Sequence, residues 1–339
     1  MIADSGLRVA AAICAAILVV VALFAARAVF APLAFAGLVI AIVWPMQRRL
    51  QAALPMLVAL AVSMLVTIAV LLLFGSLATW SFSRIGLFLV SDAARFRVLY
   101  AQAVDWLDGQ GVMVAGLWAE HFNVGWLVVV FQQVTSRLND TLTFVSVVLI
   151  YVILGLLEVD EVTRRLRRLG NAATARVLLD GGAATAAKFR RYMLVRTLMS
   201  AMTGLFVAGF ALATGLGLAA EWGVLAFVLN YIPFIGSLVS TVLPTLFAVT
   251  RFQSWEMVVV VFICLGLIQF LVGSYLEPRI AGSALSLSPF AVLFTVFFWT
   301  FLWGIPGALI GVPIVIAAVT LCAQHPSSRW IADVLGGEG

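Results

Sequence analysis

Long apolar stretches separated by short polar connectors run along most of the chain, at residues 9–26, 28–45, 55–79, 141–157, 193–220, 222–250, 256–276 and 289–323. One helical bilayer crossing takes about 20 apolar residues. The pattern therefore predicts an all-α, polytopic membrane protein of about six to eight hydrophobic segments. The first two stretches are separated only by a tight turn at Arg27, which predicts a hairpin or a bent pair. Arg8 followed by Val9–Phe24 resembles the opening of a signal peptide. A second apolar run, Ala28–Val43, follows at once, so a retained first span is expected.

Two of the C-terminal stretches are interrupted. Within 222–250 the run is broken by Asn230-Tyr231-Ile232-Pro233-Phe234-Ile235-Gly236, and Pro244 interrupts its second half. Asn230 has no apolar rationale, Pro233 lacks a backbone donor, and Gly236 frees the chain to turn. A re-entrant hairpin is the expectation, with a single kinked span as the alternative. The stretch 289–323 is too long for one crossing. Gly304-Ile305-Pro306-Gly307 divides it, and Gly311 and Pro313 follow, so a second hairpin is expected there. Irregular backbone at membrane depth is tolerated only where protein or a wet cavity surrounds it. Paired interruptions of this kind point to a transport site.

Composition excludes a water-soluble fold. Of the 339 residues 64% are apolar and only 10% charged, and mean hydropathy is +1.16. The net charge of +5 would suggest nucleic acid in a soluble protein. Here the basic residues flank hydrophobic runs, so no nucleic-acid partner is expected and lipid is the expected environment.

Charge also orients the chain. Residues 158–191 hold Arg164, Arg165, Arg167, Arg168, Arg176, Lys188, Arg190 and Arg191, which places them with Arg48-Arg49 on the cytoplasmic side. The stretch 80–140 carries four arginines against five acids and is expected outside. There Phe96, Leu99, Tyr100, Ala103 and Leu107 repeat at helical spacing, and Val112–Val130 reads as another helix with Trp118 and Trp126. The expected organisation is N-terminal spans in 1–79, an extracytoplasmic helical insert in 80–140 and a span at 141–157. Basic cytoplasmic linker helices in 158–191, a transport core in 192–323 and a cytoplasmic tail in 324–339 complete it.

The sequence holds no His-Glu-x-x-His, no phosphate-binding Gly-x-x-x-x-Gly-Lys, no Gly-x-Ser-x-Gly and no dinucleotide fingerprint. An enzyme is not expected, nor a cofactor or a metal. Cys14, Cys264 and Cys322 lie far apart in apolar runs, and His121 and His325 stand alone in polar flanks. Glu277 and Arg279 flank Pro278 at the end of 256–276, where they could form a local pair or a gate. Gln269 could bond a neighbouring helix or a passing solute. Glu221 and Glu256 are expected to be solvated outside.

Several of these motifs share an order. Asn-Tyr-Ile-Pro-Phe-Ile-Gly at 230–236, Glu-Pro-Arg-Ile-Ala-Gly at 277–282, Leu-Ser-Leu-Ser-Pro at 285–289, Gly-Ile-Pro-Gly at 304–307 and Gly-Val-Pro at 311–313 resemble the autoinducer-2 exporter family of bacterial permeases. The resemblance implies an all-helical multi-pass protein of the bacterial inner membrane with re-entrant elements. It also implies a homo-oligomer, a pentamer, with an elevator-like motion. Family members are linked to export of a small furanosyl signal, and others to cation/proton exchange. The family often has His where Ser288 stands, and an acid near Gln269; if proton coupling used either position, this chain lacks it or uses Glu277 instead.

The reading that follows is a permease for a small polar solute. Asn230, Pro233, Gly236 and Gln269 would line its path, with Gly304 and Gly307 opposite, and Glu277 with Arg279 as a cytoplasmic gate. Pro244, Gly282, Pro306 and Pro313 would act as hinges. A monovalent cation/proton antiporter and a non-transporting scaffold or regulator are the alternatives.

Overall fold

A computed structural model of the chain describes residues 2–91, 138–168, 171–252, 254–281, 287–324 and 328–335. The helices expected around 96–107 and 112–130 lie outside the described residues. So does Gly282.

The fold is all-helical, as expected. Its elements are α1 (Ile2–Ala25), α2 (Arg27–Gln51), α3 (Met56–Ser91), α4 (Leu138–Arg167), α5 (Ala172–Thr214), α6 (Ala219–Leu229), α7 (Ile235–Arg251) and α8 (Trp255–Phe270). A π-helix, Leu271–Leu276, leads into α9 (Glu277–Ala281), and α10 (Pro289–Trp303), α11 (Ile305–Ala323) and α12 (Arg329–Leu335) follow. Among the described residues, seven helices are long and apolar enough to cross a membrane. No helix break separates the basic linker from its neighbouring spans. Arg164–Arg167 continue α4, and Arg176–Arg191 belong to the same helix as the apolar run after them. The break falls before Ala172, where the Asn171 carboxamide accepts from the Thr174 amide at 3.2 Å and caps α5.

The chain forms two compact units. The first comprises Met1–Leu65, Leu142–Tyr192 and Ala284–Gly339; the second comprises Val66–Thr141 and Met193–Ser283. The chain passes from one unit to the other four times, and α3, α4 and α5 contain three of those points.

In the first unit, Ala36, Val39 and Val43 of α2 repeat at helical spacing and pack with Met64 and with Val148, Val152 and Leu156 of α4. Pro45 lies within α2 and cannot donate to the carbonyl of Ala41, four residues earlier. The Arg190 guanidinium supplies the missing donor, with Nη1 3.0 Å from that carbonyl oxygen. The second unit is built on Val207, Ala211, Leu216, Trp222, Leu225, Ala226, Phe247, Val258, Val261 and Leu265, with Ile85 of α3.

Candidate functional site

The second unit holds a hairpin made of α6 and α7. Both of its ends lie near the carboxyl end of α5. Arg251, at the end of α7, donates from Nε to the Gly215 carbonyl at 3.4 Å. Near the start of α6, the Ser81 hydroxyl donates to the Glu221 carbonyl at 2.7 Å, and Arg84 Nε lies 3.2 Å from the Glu221 carboxylate. The tip reaches back along α5 to Ser200 and Thr197. Ser200 precedes the end of α5 by about 21 Å at 1.5 Å per residue. Neither arm spans a bilayer by itself, since α6 has 11 residues and α7 has 17.

The tip turns tightly. Ile235 N donates to Pro233 O at 2.7 Å, closing a three-residue γ-turn around Phe234, whose φ is 61° and ψ −55°. That conformation is strained for a residue with a side chain. Gly236 is pressed against the first arm: a Cβ there would lie 1.9 Å from the Leu229 carbonyl oxygen. Gly236 is thus a close-packing point. Pro244, expected to be a hinge, is buried inside the continuous helix α7.

Polar side chains collect at the tip. Asn230 is buried and donates through Nδ2 to Ser200 Oγ at 3.1 Å. Tyr231 Oη donates to Thr197 Oγ1 at 2.8 Å, while its ring stands edge-on to Phe74 and Phe227. Gln269 Nε2 donates to Ser240 Oγ at 2.8 Å, and that hydroxyl donates to Gly236 O at 2.7 Å. Of the two partners expected for Gln269, the structure therefore shows the neighbouring helix.

Glu277 follows the π-helix, a form that widens the hydrogen-bonded turn and is frequent at functional sites. Its carboxylate pairs with Arg196 of α5, not with Arg279. Arg196 Nη1 donates to both carboxylate oxygens, at 2.8 and 2.9 Å. Arg279 instead lies over the Tyr275 ring, 3.8 Å from its centroid. A partner two residues away on a helix faces elsewhere, which is why the expected local pair does not form. Arg196 is buried, so losing its partner would strand a charge, at about 3–5 kcal/mol.

Arg196, Thr197 and Ser200 carry the α5 side of this cluster, and none of them is among the residues expected from sequence. The signal for Arg196 was present: it is an ionisable residue inside the apolar run 193–220. Glu221 corrects a second expectation. It is buried against Arg84 and Ser81, whereas Glu256 is exposed as expected.

The other expected residues sit in the first unit, so Gly304 and Gly307 belong to a different body from Asn230, Pro233, Gly236 and Gln269. There α10 and α11 form a second hairpin. Ser288 caps α10 by accepting from Ala291 N at 3.1 Å, and Ser288 N donates to Leu335 O, so α12 folds back to the hairpin's base. Gly304 turns the tip with φ 66° and ψ −143°, open only to glycine, and Pro306 fits the first turn of α11. A Cβ on Gly307 would lie 1.9 Å from the Trp299 carbonyl oxygen. Pro313 is buried within α11. Trp303 donates from Nε1 to Leu23 O at 3.1 Å, and Phe301 stacks on Phe24.

Among the described residues no group of three or more His, Cys, Asp or Glu could hold a metal ion.

A family model described as AI-2E family transporter matches residues 12–326. The AI-2 transport protein TqsA of Escherichia coli K12 is 30% identical over 206 residues, 59% of this chain and 57% of that protein. A candidate transport protein of Borreliella burgdorferi is 34% identical over 148 residues, 43% of this chain and 41% of its own length. The chain thus spans about half the length of these relatives. Both carry the names of transporters, not of enzymes.

Proposed function

We propose how this chain, which belongs to the AI-2E family of transporters, handles its cargo: as a bacterial inner-membrane permease passing a small polar solute along the tip of the α6–α7 hairpin. The observation that carries this reading is the concentration of polar groups there. Asn230, Tyr231, Thr197 and Ser200 meet within one turn of the buried Arg196. Such groups are costly at membrane depth unless they pair with one another or meet a solute. Autoinducer-2, named for the relative TqsA, is the first solute to test.

A homo-oligomeric assembly, a pentamer, belongs to the same proposal. Cation/proton antiport is supported less well, because both oxygens of Glu277, its candidate titrating acid, are already held by Arg196.

The test is solute flux in proteoliposomes of the purified protein. Autoinducer-2 should move without a sodium or pH gradient, and Asn230→Leu should cut that flux while the protein stays monodisperse. Unchanged flux in Asn230→Leu would remove the hairpin tip as the site. Collapse of a pH gradient on adding sodium or potassium would replace the permease with the antiporter.

A further inference from the structure

The Arg196 guanidinium is only partly used. It has five N–H donors and no acceptor. Arginine–carboxylate pairs are frequently two-pronged, with two parallel N–H···O bonds. Here a single nitrogen, Nη1, serves both oxygens of Glu277, and Nε is left buried with no acceptor. Arg84 makes the contrast: it pairs through Nε, and its side chain is 61% exposed, so water can satisfy the rest. The Arg196 side chain is 7% exposed.

The neighbouring groups do not complete it. The Ser200 and Thr197 hydroxyls of the same helix bond to Asn230 and Tyr231, and neither they nor any other described oxygen bonds to Nε. What this place lacks is an oxygen acceptor.

Charge narrows what could supply one. Arg196 and Glu277 cancel. An anion drawn to the guanidinium would meet the Glu277 carboxylate, and a cation would be repelled by Arg196 while both Glu277 oxygens are occupied. We propose that Arg196 Nε is a solute-binding donor, and that its neutral pair with Glu277 restricts the site to uncharged solutes rich in acceptor oxygens. The proposal rests on the hairpin tip being the permease site and adds to it a residue and a charge selectivity.

Two variants separate binding from scaffolding. Arg196→Met with Glu277→Leu removes both charges together, a replacement that buried ion pairs often tolerate without loss of stability. Arg196→Lys keeps a cation for Glu277 but lacks the Nε edge. The probes are radiolabelled D-ribose as the neutral solute, L-lactate as the anion and rubidium as the cation, each in proteoliposomes. The wild-type protein should move ribose and neither ion. Both variants should remain monodisperse and lose ribose flux by roughly tenfold or more, the scale of one charged hydrogen bond. Ribose flux within twofold of wild type in the double variant would overturn the inference alone, leaving a water molecule as the occupant of Nε. Faster flux of lactate or rubidium than of ribose would overturn the charge selectivity. No flux of any probe by the wild-type protein would overturn both the permease site and this inference.

Discussion

The two hairpins solve one backbone problem in the same way and then part company. Each ends its first arm, turns within a few residues, and presses a glycine of the second arm onto a carbonyl oxygen of the first. The glycine is Gly236 on Leu229 in one and Gly307 on Trp299 in the other, and a Cβ would stand 1.9 Å from the oxygen in both. Their fastenings differ. The α6–α7 tip is held by side-chain hydrogen bonds from Asn230 and Tyr231. The α10–α11 hairpin is lined by rings, with Trp299 and Trp303 at 4.5 Å, Phe298 against Trp299 at 5.4 Å, and one indole donor on Leu23. Tip strain differs too: a glycine takes the unusual turn at 304, whereas Phe234 takes it at the polar tip. The two hairpins therefore share their close glycine contact and differ in what lines them.

Gly236→Ala and Gly307→Ala should be the most damaging changes, each destabilising by about 3 kcal/mol or more through overpacking against backbone. Thermal melting in detergent checks this, and a mild effect in one of them alone would show that the hairpins do not share the contact. Next come the fastenings. Asn230→Leu should cost about 1–2 kcal/mol by removing the donor from Ser200, and Trp303→Phe about 1 kcal/mol by leaving Leu23 O unpaired. In flux assays only the Asn230 variant should fall, which sharpens the polar–aromatic division. The smallest effect concerns strain. Phe234→Gly should raise the melting point slightly, on the order of 1 kcal/mol, since glycine adopts positive φ freely and this ring is half exposed. A lower melting point would mean that the Phe234 ring contributes more than its backbone costs.

Most of the architecture was legible because hydropathy and helix breakers are local properties. The divided stretches at 230–236 and 304–307 and the helical class appear where the residues place them, and the break expected at Arg27 falls one residue earlier, at Ala26. The π-helix was not legible. Leu271–Leu276 reads as six ordinary residues of an apolar helix, and nothing in their order marks the wider turn. Partners were harder still. Glu277 stands out in sequence, but its cation lies 81 positions away on α5 rather than two positions along its own helix. Glu221 flanks an apolar run and so reads as solvated, yet Ser81 and Arg84 reach it across about 140 residues. Residue type announces that a charge needs a partner, but only the packing of distant helices selects which one.

The bond between Arg190 and Ala41 has a consequence for how this chain can vary. Pro45 creates the vacancy that Arg190 fills, so the two positions, 145 residues apart, are mutationally coupled. With Pro45 present, losing Arg190 leaves a half-buried carbonyl unserved. With alanine at 45 the helix supplies its own donor, and Arg190 becomes dispensable for that oxygen. The effect of a substitution at either position therefore depends on which residue occupies the other, and sequences related to this one should exchange the two together.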